Sequence, residues 1–547
     1  MNGSLIIGNK RLDTQEKLTS INPSTLSPLG TVSLASSADC QMAVQEAKKA
    51  FPLWKEFPQS VKKEIFGKAK SILLSRSSDI ARIIAEEHGA PFPEALSVEI
   101  WTAVEAINYY RHSLKKNLKP QKMVSSVLLL SHKKNAFHFQ PLGPTLIISP
   151  WNFPFLLPFL DVLSALCSGN TVVLRPSTTT PFSALQIGEI FLEAGLPPGV
   201  LNIVNCKTAQ AETMIGDPDI QSIMFTGSVA TGKRIMELAS HNLTNLILEL
   251  GGKDPMVVFE DADLDRASLG ATWAGLMNCG QSCGSVERIY VAKEAASEFT
   301  EKLLRLVTNL KIGNPLEPGI DMGPMTTKSQ REVVLTHIAD AVAKGARILH
   351  GGTEIDDLAG YFIQPTVLVG VDHSMAIMRE ETFGPVLPIM TFADPKEALA
   401  LANDSSFGLT ASVWTRDKKR AEWMADHLEA GTVTVNDHMS TFSEPKGIWG
   451  GVKQSGIGRS HGLYGMLNLV NIKLLSHDFK RKKRQIWWFP YDRKMTPFLK
   501  KSLVLIHHER ISTKLKALLG LSSSMTRIIS GLPLSNVIKA IPKFFKK

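Results

Sequence analysis

From residue 145 onward, short apolar runs alternate with longer stretches of helical periodicity, and this alternation limits the folds open to the chain more than any other feature. The runs at 146–148, 171–174, 201–204 and 222–225 are apolar with almost no polar interruption. Such runs read as strands buried on both faces of a sheet. Strands separated by helices need crossover connections, and crossovers make neighbouring strands parallel. The pattern resumes after Glu249, which predicts a second lobe of the same kind. The fold class is therefore α/β, with catalysis expected in the cleft between two lobes.

Helical periodicity also covers 38–51 and 59–86, where Val44, Ala47 and Phe51 mark one amphipathic face. Runs at 124–130 and 136–140 flank the polar turn His132-Lys133-Lys134 and predict a hairpin. A length of 547 residues predicts two to four domains or one large multilobed unit, and a hydrophobic content of 44% supports a sizeable core. The five cysteines, Cys40, Cys167, Cys206, Cys279 and Cys283, are irregularly spaced. That spacing suits a reducing compartment, argues against a disulfide scaffold or zinc site, and no metal site is expected. Leu5-Ile6-Ile7 is too short for a signal-peptide core, and no run approaches the roughly 18–20 apolar residues of a spanning helix. A cytoplasmic location follows as an expectation.

Three segments carry chemistry. Cys283 ends Asn278-Cys279-Gly280-Gln281-Ser282-Cys283 and sits between Ser282 and Gly284, so little bulk blocks its sulfur. Taken alone, a single cysteine is more often a buried structural one, and Cys279 competes for the role of nucleophile. Glu249 follows the apolar run Leu246-Ile247-Leu248 and precedes Leu250-Gly251-Gly252-Lys253, a strand ending at a turn. Burial there would raise its pKa and suit it to activate water, although an ordinary ion-paired carboxylate would look the same. Asn152 lies in Pro150-Trp151-Asn152-Phe153-Pro154, where prolines stiffen the loop as an oxyanion donor requires. Asn beside Pro is otherwise a common turn residue. Together, thiol, carboxylate and amide are the parts of acyl chemistry through a thioester.

These segments, with Phe225-Thr226-Gly227-Ser228, Glu381-Thr382-Phe383-Gly384-Pro385-Val386 and Trp449-Gly450-Gly451-Val452-Lys453-Gln454-Ser455-Gly456-Ile457-Gly458-Arg459, resemble the aldehyde dehydrogenase superfamily in order and spacing, from about residue 15 to about 476. The resemblance implies two Rossmann-like lobes. The cofactor-binding domain would take 1–122 and 143–248 and the catalytic domain 249–440. A β-hairpin oligomerisation element would take 123–142 and 465–476, with a C-terminal strand at 469–476, and a helical C-terminal extension would take 477–547. It implies Cys283 as nucleophile, Asn152 and the Cys283 N–H as oxyanion donors, and Glu249 as base for hydrolysis of a thioester, with a free carboxylic acid as product. It implies NAD or NADP held by Pro150, Trp151, Arg175, Ser177, Thr178, Gly227, Ser228, Glu381 and Phe383, and an apolar aldehyde tunnel at Phe153, Leu157, Leu160 and Trp449. For the tunnel residues, plain core packing is the competing reading. A homodimer or homotetramer is implied as well.

Two positions depart from the family pattern. Arg175-Pro176-Ser177-Thr178 replaces Lys-Pro-Ser-Glu; the missing glutamate removes repulsion of a 2′-phosphate, and Arg175 adds a phosphate-friendly fork. NADP is therefore expected to be accepted. Asp161 stands where many members carry a lysine, so a cationic relay through that position is left unassigned.

The tail is a separate matter. Residues 477–547 hold 17 Lys+Arg and 3 Asp+Glu, net +14, which leaves the remainder at net −4 of the overall +10. Lys480-Arg481-Lys482-Lys483-Arg484 precedes Trp487-Trp488-Phe489-Pro490-Tyr491, a sequence of cations then aromatics that suits an anionic membrane surface. Val504, Ile511, Leu515 and Leu518 predict one helical face, Ile528, Ile529 and Leu532 a second, and Val537, Ile538, Ile541, Phe544 and Phe545 a third. So many apolar residues argue against a nucleic-acid partner, and packing onto a neighbouring subunit is the other alternative. A surface-bound tail and an apolar tunnel both point to a hydrophobic, lipid-derived aliphatic aldehyde and to the cytoplasmic face of a membrane. The contrasting class of function is a non-enzymatic scaffold on the same fold, with ester hydrolysis through the same thiol as an intermediate case.

Overall fold

The computed structural model describes residues 1–127, 130–479, 485, 487–491, 493 and 495–519. Contacts gather the chain into two units, one of Met1–Asn117 with Pro141–Asn471 and one of Leu118–Gln140 with Ile472–Lys547.

In the first unit, β1 (Pro144–Ile148), β2 (Thr171–Arg175), β3 (Leu201–Ile203), β4 (Ser222–Thr226) and β5 (Asn245–Glu249) form the parallel body of one sheet, ordered β5-β4-β1-β2-β3. Each covers one of the short apolar runs. The chain runs outward from β1 through β2 to β3, then returns to the other side of β1 for β4 and β5. This reversal leaves a crevice at the carboxyl ends of β1 and β4, the usual ligand position in an open α/β sheet. Antiparallel strands Leu5–Ile7 and Gly456–Ile457 add to β3 and β5. Helix α1 (Leu156–Cys167) follows β1 and is buried at every residue, as a helix apolar on nearly all sides must be; Asp161 and Ser164 are its polar exceptions. Helix α2 (Val229–Ser240) follows β4.

A second sheet contains β6 (Asp254–Val258), β7 (Val286–Ala292), β8 (Thr366–Val369), β9 (Val386–Phe392), β10 (Thr410–Trp414) and β11 (Thr432–Val435), parallel and ordered β8-β9-β7-β6-β10-β11. Arg347–His350 adds antiparallel to β8, and α3 (Lys328–Ala343) packs nearby through Val334, Ile338 and Ala341. The core here is centred on Val257, Ile289, Leu387 and Val413. The fold is α/β, as the alternation of runs implies. Only residues 250–253 separate the end of β5 from the start of β6. The carboxyl edge of the first sheet therefore passes directly into the amino edge of the second, and Glu249 stands at the junction.

Three local expectations need correction. The helical stretch at 59–86 is two helices, Gln59–Ser75 and Ser77–His88, separated at Arg76. The first hairpin strand is Gln121–Met123, paired with 135–137, in place of 124–130. Val124 is 92% exposed and Val127 49%, so these two valines bury no face that would extend the strand. Residues 128 and 129 lie outside the described residues. Lys134–Pro141 pairs next to Gln121–Met123, and Val470–His477 completes this three-stranded sheet.

In the tail, α4 (Met495–His507) and α5 (Ile511–Leu519) divide the single face expected through Val504 and Ile511. Between them the Arg510 N–H donates to His508 Nδ1 at 3.0 Å, a local bond that competes with helix continuation. The basic run 480–484 and the faces expected at 528–532 and 537–545 lie outside the described residues.

Candidate active site

Asn152 follows β1 in a loop that leads into α1. Helix α1 has no side-chain cap of its own; instead Glu99 Oε2 accepts from both the Phe155 and Leu156 N–H groups at 2.9 Å. The carboxylate of this distant glutamate thus holds the loop that carries Asn152. Asn152 is 3% exposed, and its Nδ2 donates to the Gln281 carbonyl at 3.1 Å. An amide nitrogen has two protons, so the second remains to donate to an oxyanion.

The cysteine segment leaves its helix through a left-handed turn. Asn278, Cys279 and Gly280 have φ of 57°, 56° and 70°. At Gly280 a Cβ would lie 2.2 Å from the Gly384 carbonyl oxygen, so only glycine fits. The turn is braced from outside. Asn278 Nδ2 donates to the Asn152 carbonyl at 2.7 Å, and Gln281 Oε1 accepts from the Thr326 N–H at 2.9 Å. Within this turn the two thiols separate. Cys279 is 2% exposed, with Sγ 3.5 Å from Met325 Sδ, whereas Cys283 is half-buried and lines the cleft.

That cleft, of about 220 Å³, is lined by Cys283, Asn152, Glu249, Glu381 and Phe383, and also by Pro150, Trp151, Gly227 and Ser228. Both oxygens of Glu249 are buried without a hydrogen-bond partner in the protein. Burial pushes this carboxyl up to about 7. Burial, then the charges of Glu381, Asp254 and Glu249, push the Cys283 thiol up, so it rests as a neutral thiol. Burial and then the charge of Glu287 push Glu381 up to about 8, while the Gly252 N–H donates to its Oε1 at 3.1 Å. A Cβ on Gly251 would lie 2.3 Å from the Glu381 carboxylate, which explains the glycine beside Glu249's strand end. Phe383 meets Trp151 edge to face at 5.5 Å.

A neighbouring groove is lined by Arg175, Ser177, Gly227, Ser228, Thr231 and Arg234. Ser228 caps α2 by accepting from the Thr231 N–H at 3.3 Å, so the amino end of α2 faces this groove. Arg175 Nη2 donates to the Cys206 carbonyl at 2.9 Å, while its buried Nε has no partner. An amino helix end, an orphaned guanidinium donor and a glycine-lined cleft fit the phosphates and ribose of NAD or NADP. Thr178 is half-buried, three residues beyond the end of β2.

Phe153, Leu157, Leu160 and Trp449 are all buried. Leu160 lines a small cavity with Tyr110, Phe442 and His461, and Trp449 packs edge-on against Phe442 at 4.9 Å. A Cβ on Gly284 would lie 3.2 Å from the Trp449 ring, which puts this tryptophan next to the nucleophile's neighbour. Asp161, on α1, is pushed well above its ordinary carboxylate value by burial and then by the charge of Glu249. Sequence patterns offered no sign of Gln330 and Val333, which line the cleft from α3, nor of His438, whose Nε2 is 2.9 Å from the Gly284 carbonyl. Among the described residues no cluster of His, Cys, Asp or Glu could hold a metal ion.

The fold and site define a nicotinamide-dependent oxidoreductase. Residues 11–475 match the model of the aldehyde dehydrogenase family. The chain is 36% identical to a chloroplastic aminoaldehyde dehydrogenase of Arabidopsis thaliana, over 84% of this chain and 92% of that one. It is 36% identical to a 4,4'-diapolycopene aldehyde oxidase of Methylomonas sp, over 85% of this chain and 86% of that one. The NAD+ complex of an aldehyde dehydrogenase from Bacillus cereus superposes with a TM-score of 0.84 at 33% identity, covering 87% of this chain and 96% of that one. The chain belongs to the aldehyde dehydrogenase family, and its activity is NAD(P)-dependent aldehyde oxidation.

Proposed function

We propose that this chain oxidises a hydrophobic aliphatic aldehyde to the free carboxylic acid, with Cys283 as nucleophile, Asn152 as oxyanion donor and Glu249 as base. The observation that carries the proposal is the meeting of these three residues, from three distant segments, in one cleft with Glu381 and Phe383. Glu249 titrates near 7 and takes the proton of the neutral Cys283 thiol as sulfur adds to the aldehyde carbon. The carbonyl electrons move to oxygen, where the free Asn152 N–H and the Cys283 N–H donate. NAD(P)+, when bound, supplies the acceptor for the hydride that leaves the substrate carbon as the thioester forms. Glu249, its proton lost to solvent, then accepts one from the attacking water; the C–S bond breaks and the acid departs. Glu381 and Phe383 hold the nicotinamide ribose and ring, and Arg175, Ser177 and Ser228 the adenosine end. Thr178 in place of an acidic residue, together with the free Arg175 Nε, supports acceptance of NADP.

Phe153, Leu157, Leu160 and Trp449 form the apolar path for the substrate. The cofactor-binding region is 1–122 with 143–248, the catalytic region is 249–440, and the sheet that includes Val470–His477 joins subunits in a homodimer or homotetramer. The tail lies on an anionic membrane surface, on its cytoplasmic face. Supporting this, Trp487, Trp488, Phe489 and Tyr491 are 39%, 51%, 76% and 64% exposed within a segment rich in lysine and arginine. No helix among the described residues is long and apolar enough to cross a membrane.

The test is the rate of reduced-nicotinamide absorbance gain with decanal, acetaldehyde and an aminoaldehyde, using NAD+ and NADP+ in parallel and Cys283→Ala as control. Faster turnover of decanal in the wild type alone is expected; equal activity on acetaldehyde with none on decanal refutes the substrate class. Co-sedimentation with phosphatidylserine vesicles tests the tail, and no binding at low salt refutes it.

A further inference from the structure

Glu287 lies on β7, four residues after Cys283, and is only 4% exposed. Its Oε1 accepts from the Phe383 N–H at 2.8 Å. Its Oε2 accepts from the Thr382 N–H at 2.8 Å and from Lys253 Nζ at 2.5 Å. Lys253 is 1% exposed and also donates to Thr382 Oγ1 at 3.1 Å. One carboxylate thus touches three segments of the cleft: the link that carries Glu249 and Gly251, the strand that follows Cys283, and the Glu381–Phe383 turn.

A buried ion pair seldom adds net stability, because desolvation cancels most of the attraction. Two well-packed apolar residues would fill the same space. What apolar residues could not do is accept two consecutive backbone N–H groups. Phe383 has a φ of 52°, in the left-handed region that side chains disfavour, and such a residue persists only where its surroundings over-determine it. Glu287 supplies the acceptors at that point.

We propose that Glu287 is a positioning residue for the cofactor: through the Thr382 and Phe383 backbone it aims the Glu381 carboxylate and the Phe383 ring at the nicotinamide end of the cleft, while Lys253 neutralises its charge. The proposal rests on the reading of Glu381 and Phe383 as the residues that hold the nicotinamide ribose and ring.

The experiment measures binding of NAD+ and NADP+ to the full-length chain by isothermal titration calorimetry, with KM for cofactor and for aldehyde measured separately. Three variants are compared: Glu287→Gln, the charge-free double variant Lys253→Met with Glu287→Met, and Glu381→Gln as control. A carboxamide cannot replace both acceptor oxygens, so Glu287→Gln is expected to weaken cofactor binding roughly ten-fold or more. KM for the cofactor rises in step, while KM for the aldehyde moves less than about two-fold. The double variant leaves no charge unpaired yet still lacks the acceptors, and it is expected to bind cofactor as weakly as Glu287→Gln. Wild-type affinity in either Glu287 variant, beside a weakened Glu381→Gln, overturns the proposal. If Glu287→Gln does not fold, the double variant decides by the same criterion. Unchanged binding in Glu381→Gln instead overturns the reading of the nicotinamide site on which the proposal rests.

Discussion

The side-chain amide of Asn278 donates to the backbone carbonyl of Asn152 at 2.7 Å, fastening the turn that presents the nucleophile to the loop that carries the oxyanion amide. The Asn152 amide returns the contact, donating to Gln281 in the same turn at 3.1 Å. Asn278→Ala removes the first bond and also places alanine at a φ of 57°. A loss of about 1–3 kcal/mol of stability is expected in urea unfolding. In steady-state kinetics kcat should fall about ten-fold or more, with KM for the cofactor little changed.

The two cysteines of the turn should respond differently to alkylation. Cys279 is sealed against Met325 and its thiol is pushed up by burial, while Cys283 opens into the cleft. Limited iodoacetamide treatment followed by peptide mass analysis should find the label on Cys283, and activity should fall in proportion. Cys283→Ala should lose aldehyde oxidation by at least about a thousand-fold. Cys279→Ala should keep most of the activity and cost about 1 kcal/mol of stability.

Glu249 sets a pH dependence of known sign. Its folded value near 7 lies above the ordinary carboxylate value, and its working form is the base, so kcat should rise with pH through about 7. Glu249→Gln should abolish that limb and lower kcat across the pH range, since the same carboxylate serves both thiol addition and water attack; initial rates against pH check it. A raised acid binds more protons in the folded state, so its contribution to stability falls as pH rises from about 4.5 to about 7. At pH 8, Glu249→Gln is therefore expected to unfold at higher urea than wild type, by up to about 3 kcal/mol.

Arg175 should divide the two cofactors. Its Nη2 is committed to the Cys206 carbonyl, but its buried Nε is free to meet a 2′-phosphate. Arg175→Ala should lower kcat/KM for NADP+ roughly ten-fold or more, and that for NAD+ by less than about three-fold. Thr178→Glu should act in the same direction by restoring an acidic neighbour. Initial rates with both cofactors check both variants.

Much of this protein is written locally in its chain. Runs such as Thr171–Arg175 and Ser222–Thr226 can satisfy their apolar side chains only inside a two-sided sheet, so the α/β class followed from pattern alone. The ordered segments around Asn152, Glu249, Cys283 and Glu381 named the family, because each is a short contiguous motif. Glycines at 251 and 280 belong with them, since their lack of a Cβ is a local requirement of a close approach.

Tertiary structure alone decided the rest. Whether Cys279 or Cys283 faces the cleft depends on a left-handed turn and on Met325, and the strand at Gln121–Met123 begins earlier than its apolar pattern suggested because Val124 finds nothing to pack against. Glu99 holds the start of α1 from 56 residues away, and Glu287 reaches Phe383 across 96. No local pattern distinguishes these two glutamates from any other, because a carboxylate becomes a cap for backbone N–H groups only when packing of remote segments buries both partners together.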